Sequence, residues 1–176
     1  MRVPPHYLLP LDLQLKWLEA ARAYRREWVA GLRLEGDVLT WFGFKLGEEH
    51  EVEFIDIKDV LGAVGTVHSH PHEHSKTPIP SIDDGLNWIY LSYWQISDDL
   101  NPIFFIVFRD GYASWALFPK PPIVRDIWME EFKRLGREWE REDEASWNTC
   151  MKLLKKDLIR AGVFRLGEEA KKFPTF

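Results

Sequence analysis

A short apolar run in the middle of the chain ends in the tetrapeptide His68-Ser69-His70-Pro71. The run, residues 62–68, consists mainly of small and β-branched residues, which predicts a buried central strand. Because side chains alternate along a strand, His68 and His70 are expected to project from one face at its carboxyl end. The chain is therefore expected to fold around a strand that presents two imidazoles side by side.

The residues around this strand predict further helices and strands. One helix is predicted over residues 10–26 and a second one from Ser81 onward. Leu11, Leu15, Leu18 and either Ala21 or Arg22 follow the i, i+4, i+7 spacing that predicts the apolar stripe of the first helix. Alternating or continuous apolar residues predict five further strands, over residues 27–34, 38–44, 51–57, 103–109 and 112–118. The expected fold class is therefore α/β (α+β), with helices flanking a mixed β-sheet.

The proline-rich tetrapeptide Pro119-Lys120-Pro121-Pro122 predicts a domain boundary. It separates a first domain, residues 1–120, from a C-terminal helical extension, residues 121–176. Two stripes of apolar residues at helical spacing, within residues 124–139 and 147–158, predict the helices of this extension. Isolated helices of this length are marginal in water, so the extension is expected to pack on the same domain. Self-association as a homodimer would be a secondary consequence.

Charge and cysteine content exclude several classes of function. The net charge is −5, with acidic and basic residues interspersed, so the basic face that nucleic-acid binding needs is not expected. No apolar stretch reaches the length of a membrane span, and the N-terminus does not resemble a signal peptide. A cytoplasmic protein without a membrane partner is expected. The single cysteine, Cys150, excludes zinc sites built from two or more thiolates.

Ser81 and Asp84 begin the second predicted helix ten residues or so after the histidines. Their spacing is typical of a helix start in which the serine caps the first turn. Two histidines and a nearby carboxylate are also the three protein ligands of many catalytic zinc sites, which leave the fourth position for water. The sequence therefore predicts that His68, His70 and a carboxylate near residue 84 bind zinc.

The tetrapeptide at 68–71 followed by Ser81-Ile82-Asp83-Asp84 resembles the motif of the JAMM (MPN+) metalloprotease family. The resemblance covers roughly residues 10–120, where the order of predicted elements is also similar to the MPN fold, a relative of the cytidine deaminase fold. It implies one zinc per chain, bound by His68, His70 and Asp84. Asp83 is the competing ligand, and the spacing from Ser81 favours Asp84.

The same resemblance implies the roles of two further residues. Glu27, at the start of the first predicted strand, would act as general base and acid, and Glu35, Glu51 and Glu53 are the alternatives. Ser81 would donate a hydrogen bond to the oxyanion that forms on the attacked carbonyl. His72 and His74 extend the histidines to an alternating run of four, which is either a second metal site or a pair of solvated loop residues.

Family membership would make the protein a zinc-dependent isopeptidase that releases ubiquitin-like modifiers from their conjugates. The alternative from another class is a catalytically silent MPN scaffold that mediates protein assembly. Such scaffolds have typically lost metal ligands, and this chain has lost none. A zinc deaminase is a third alternative, but it needs cysteine ligands, and Cys150 is far from the histidines in sequence.

Overall fold

The computed structural model describes residues 3–48, 56–71, 82–97, 99–119, 130 and 159–176. Strands and two helices follow one another along this part of the chain. The helices are α1 (Leu11–Ala23) and α2 (Ile82–Trp94). The strands are β1 (His6–Leu9), β2 (Trp28–Glu35), β3 (Val38–Leu46), β4 (Ala63–His70), β5 (Ile103–Phe108), β6 (Tyr112–Leu117), β7 (Arg160–Arg165) and β8 (Lys171–Pro174).

All eight strands form one sheet in the order β7-β6-β5-β4-β2-β3-β1-β8. β4 lies near its middle, between β2 and β5, and every residue of β4 is buried. β4 pairs parallel to β5 and β1 pairs parallel to β3, whereas the other neighbours are antiparallel. The predicted mixed sheet, with the histidine strand at its centre, is therefore confirmed.

The two helices cover opposite faces of the sheet. In α1 the Trp17 ring lies 5.2 Å from the Phe105 ring of β5. In α2 the Trp88 ring stacks on Phe104 at 5.6 Å with an interplanar angle of 10°. Because neighbouring residues of a strand point to opposite faces, contacts with Phe104 and Phe105 place α2 and α1 on different sides.

The sheet curls until its outer strands approach each other. β7 and β8 lie at opposite ends of the strand order, yet only residues 166–170 connect them. A flat eight-stranded sheet would be roughly 34 Å wide, whereas so short a connection spans at most about 20 Å. Accordingly, the rings of Phe164 in β7 and Phe173 in β8 lie 5.8 Å apart. The concave face encloses an aromatic core that includes Trp17 and Phe105.

A buried glutamine joins α1 to the connection between β7 and β8. Gln14 is fully buried, and its side-chain amide donates to the carbonyl of Glu169 at 2.8 Å. Its side-chain oxygen accepts the N–H of Gly167 at 3.1 Å. These bonds satisfy a polar side chain that would otherwise destabilise the core, and they hold the connection against the helix.

Two expectations from the sequence are wrong. The helical extension assigned to residues 121–176 does not include residues 159–176, which form β7 and β8 and complete the sheet of the preceding residues. The apolar stripe of α1 is also partly different: Ala21 is buried as predicted, but Leu11 and Leu15 are exposed, whereas Leu13 and Trp17 are buried. The large Trp17 ring packs on β5, which turns the helix so that these two leucines face outward.

Other predicted elements lie outside the described residues. These are most of the strand predicted over 51–57 and the helical stripes within 124–139 and 147–158. In the ranges that the structure does describe, neither helix combines the length and the apolar character that crossing a bilayer requires.

Candidate metal centre

β4 carries His68 and His70 at its carboxyl end and presents both rings on the face covered by α2. Both residues are buried, and their Nε2 atoms lie 3.1 Å apart. The ring of Phe108, at the end of β5, packs edge-on against His70 at a centroid distance of 5.5 Å. The parallel pairing of β4 with β5 sets this contact, because it aligns His70 with Phe108.

α2 brings Asp84 over the two histidines. Asp84, Trp88 and Leu91 are buried at i, i+4 and i+7, so they form the stripe of the helix that faces the sheet. Trp88 stacks on Phe104 of β5, and Asp84 lies one helical turn nearer the N-terminus of α2. The packing of one tryptophan therefore fixes the position of the carboxylate.

The three side chains converge on one point. His68 Nε2 lies 2.9 Å from Asp84 Oδ1, and His70 Nε2 lies 3.1 Å from Asp84 Oδ2. Ligand atoms in zinc sites lie about 2.0–2.2 Å from the metal, so donors at neighbouring corners of a tetrahedron are about 3.3 Å apart. The 3.1 Å between the two imidazole Nε2 atoms and the 2.9 Å between His68 Nε2 and Asp84 Oδ1 are within about 0.4 Å of that value. Within the described part of the chain, this group of donors could hold a metal ion.

Electrostatics also favour a cation at this point. Burial acts to raise the pKa of Asp84, but the nearby His68 and His70 outweigh burial and hold that pKa well below its usual range. The Asp84 carboxyl is therefore ionised at neutral pH. A buried carboxylate that faces two imidazole nitrogens requires positive charge beside it, either as protons or as a metal ion.

Glu27 lies immediately before β2, at the same end of the sheet as the histidines. Val29 of β2 pairs with His68 of β4, so continuing the antiparallel register by two residues sets Glu27 across from His70. Side chains alternate along the strand, so Glu27 and Val29 share the face that carries both imidazoles. Glu27 is partly buried, and its N–H donates to the carbonyl of Glu48 at 3.0 Å.

The alternative base Glu35 is at the far end of β2, about 20 Å from the histidines at the usual rise per residue. It is exposed and forms an ion pair with Arg33 at 3.0 Å. The remaining sequence-based candidates lie outside the described residues or have undescribed side chains: Glu51, Glu53, His72, His74, Ser81 and Asp83.

Ser69 is a residue at this site that the sequence analysis missed. It is fully buried between the two histidine positions, and its Oγ accepts the N–H of Trp28 at 3.0 Å. The strand alternation that predicts convergence of the histidines also predicts that Ser69 points to the opposite, aromatic face. A serine at a strand position that faces an aromatic core was the sequence feature that could have identified Ser69.

Comparisons with protein-family models, with curated proteins and with solved structures find no match to this chain. The resemblance to the JAMM family therefore rests on the motif residues and on the order of the predicted elements, and it stays a prediction.

Proposed function

We propose that this protein is a zinc-dependent peptidase that hydrolyses an amide bond. The observation that supports it best is the convergence of His68, His70 and Asp84, with Glu27 set across from His70. Three protein ligands that leave one coordination position open are typical of catalytic zinc sites, whereas structural sites are closed by four. The donor set favours zinc over magnesium or calcium, because those ions prefer oxygen ligands.

The chemistry of each residue suggests its role in the proposed reaction. Zinc, when bound, would polarise the amide carbonyl and make water more acidic. Glu27 would accept a proton from the water whose oxygen attacks the carbonyl carbon. The same carboxyl would then protonate the amine nitrogen as the C–N bond breaks, which yields a carboxylic acid and an amine. Ser81, outside the described residues, would donate a hydrogen bond to the oxyanion.

The proposed substrates are conjugates of a ubiquitin-like modifier, cleaved at the isopeptide or C-terminal amide bond. This substrate class rests on the resemblance of the motif alone. Two buried imidazoles beside a buried carboxylate would also suit a zinc-binding scaffold, which would bind the metal without turnover. The experiments below separate the two functions.

Metal binding is tested by measuring zinc per chain in purified protein and in two variants. We expect one zinc per chain in the wild type and in Asp83→Asn, and loss of most zinc in Asp84→Asn, because an amide is a much weaker ligand than a carboxylate. Zinc retention by Asp84→Asn equal to that of Asp83→Asn would contradict the assigned ligand set.

Hydrolysis is tested with ubiquitin joined through its C-terminal carboxyl to a fluorogenic amine or to a lysine side chain. Glu27→Gln should retain zinc and lose activity by roughly a hundredfold or more, because the amide cannot accept a proton. Glu35→Gln is the matched control and should be fully active, because Glu35 lies at the end of β2 that is far from the histidines. A zinc-loaded wild type that cleaves neither probe would favour the scaffold.

A further inference from the structure

The peptide group between Glu27 and Trp28 is held at both of its ends. Its carbonyl oxygen, which belongs to Glu27, accepts the N–H of Gly47 at 2.8 Å. Its N–H, which belongs to Trp28, donates to Ser69 Oγ at 3.0 Å. One bond extends toward β3 and the other toward β4, so this peptide group is fixed between the two strands that flank β2.

The bond to Ser69 occurs where the regular pairing of β2 with β4 ends. The terminal pair of that ladder is Val29 with His68. Beyond it, the N–H of Trp28 is bound by a side-chain hydroxyl. The separation of Glu27 from the histidine strand at this end of the sheet therefore depends on the Ser69 side chain.

We propose that Ser69 is a positioning residue, whose hydroxyl holds Glu27 in its place across from His70. This inference rests on the proposed function, because it assigns Ser69 a role in proton transfer by Glu27. By strand alternation, Ser69 points to the aromatic face, away from the three proposed ligands. Its position between two ligands therefore serves the base on the neighbouring strand, through the backbone of Trp28.

The test compares Ser69→Val with Ser69→Thr, two side chains of nearly equal shape that differ in the hydroxyl. Ser69→Val should lower kcat roughly ten- to a hundredfold, since small displacements of a reacting group have effects of this size. KM and zinc affinity should stay close to the wild-type values, and the Trp28 amide should exchange its hydrogen faster. Ser69→Thr should restore kcat and the slow exchange.

A second comparison asks whether Ser69 acts through Glu27. In a Glu27→Gln background, Ser69→Val should cause no further loss of rate, because the group that it positions is already disabled. Ser114→Ala is the control for hydroxyl loss in the same sheet. Ser114 is buried, its hydroxyl has no hydrogen-bond partner among the described atoms, and the variant should behave like the wild type.

Several outcomes would overturn the inference. An active wild type with an equally active Ser69→Val variant would remove the role of Ser69 and leave the proposed function intact. Parallel losses of zinc affinity and rate would show that Ser69 supports the ligands and not the base. A wild type that binds zinc and cleaves no amide probe would overturn the proposed function, and this inference with it.

Discussion

At Gly65 the backbones of β4 and β5 approach so closely that a side chain does not fit. A Cβ at this position would lie 1.5 Å from the backbone carbonyl oxygen of Ile103, the residue with which Gly65 pairs. We expect Gly65→Ala to lower the free energy of unfolding by about 3 kcal/mol or more, measured by urea titration.

Gly31→Ala is the matched control, because the obstacle there is a side chain. Its Cβ would lie 2.3 Å from the ring of Phe42, which is partly buried and, unlike a backbone atom, belongs to a side chain with rotatable bonds. The expected loss of stability is smaller than that of Gly65→Ala. An equal or larger loss would show that the Phe42 ring is held as firmly as a backbone atom.

The buried phenol of Tyr7 should make the free energy of unfolding fall at alkaline pH. Burial raises the pKa of the Tyr7 phenol far above its usual value, and this effect exceeds the opposite effect of the hydrogen bond from the Asn101 N–H. The phenol of the unfolded chain loses its proton at about pH 10, whereas that of the folded chain keeps it. Tyr7 therefore contributes its full share to stability below pH 10. As the pH rises above 10, stability should fall by about 1.4 kcal/mol per pH unit from this residue.

Tyr7→Phe tests this dependence. At neutral pH the variant should be less stable by about 1–3 kcal/mol, because the buried N–H of Asn101 loses its acceptor at 3.0 Å. Above pH 10 the difference between wild type and variant should shrink, because phenylalanine has no proton to release. Unfolding curves that stay a constant distance apart from pH 8 to pH 11.5 would contradict the role assigned to the phenol.

Within α2, the contact that stabilises the helix also determines where a ligand lies. Trp88→Ala should lower the free energy of unfolding by about 3–5 kcal/mol, because a large buried ring is removed. It should also weaken zinc binding about tenfold, because the stack of Trp88 on Phe104 holds the helix that carries Asp84. Tyr90→Ala, at an exposed position of the same helix, should change zinc affinity little. Both effects are read from competition with a chromophoric chelator and from thermal unfolding. Full zinc affinity in Trp88→Ala would show that Asp84 is held by other contacts.

Elements with a strong local pattern could be predicted from the sequence. The alternation of Trp28, Ala30, Leu32 and Leu34 predicts one buried face of β2, and all four are buried. Asp110-Gly111 predicts the turn between β5 and β6, where Gly111 has a φ of 98°. The spacing of His68 and His70 places both rings on one face. In each case the decisive interaction joins residues that are close in sequence.

Elements that depend on distant partners could not be predicted in this way. β1 and β8 are four residues each, which is too short to show a periodicity. They are stabilised by pairing with each other, and β1 also pairs with β3. Trp17 decides which side of α1 is buried, and it does so through Phe105 in β5. The hydroxyl of Ser69 likewise acquires a partner only when β2 lies beside β4.

On the scale of the whole molecule, the curl of the sheet depends on aromatic contacts made by its last strand. Phe173 is buried, and its ring lies 5.2 Å from Phe105 and 4.9 Å from Trp115, on strands five and six places away in the sheet. Phe173→Ala should therefore cost about 3–5 kcal/mol in the free energy of unfolding.

The neighbouring Lys172 provides the control, because it is exposed and points away from the core. Lys172→Ala should change the midpoint of thermal unfolding by no more than a degree or so, the usual result at exposed positions. If Phe173→Ala were equally harmless, the ring contacts between the outer strands would contribute nothing to the curl.

The meeting of β7 and β8 also limits aggregation. An unpaired outer strand offers a row of N–H and C=O groups to which a strand of another molecule can add, and proteins counter this with charges, prolines and covered edges. Here the guanidinium of Arg160 donates to the carbonyl of Pro174 at 2.7 Å, so each outer strand partly covers the other. Both strands also carry residues that oppose strand addition, which are Arg160, Arg165, Lys171, Lys172 and Pro174. Separating β7 from β8 would expose two strand edges at once, to which a strand of another molecule could add.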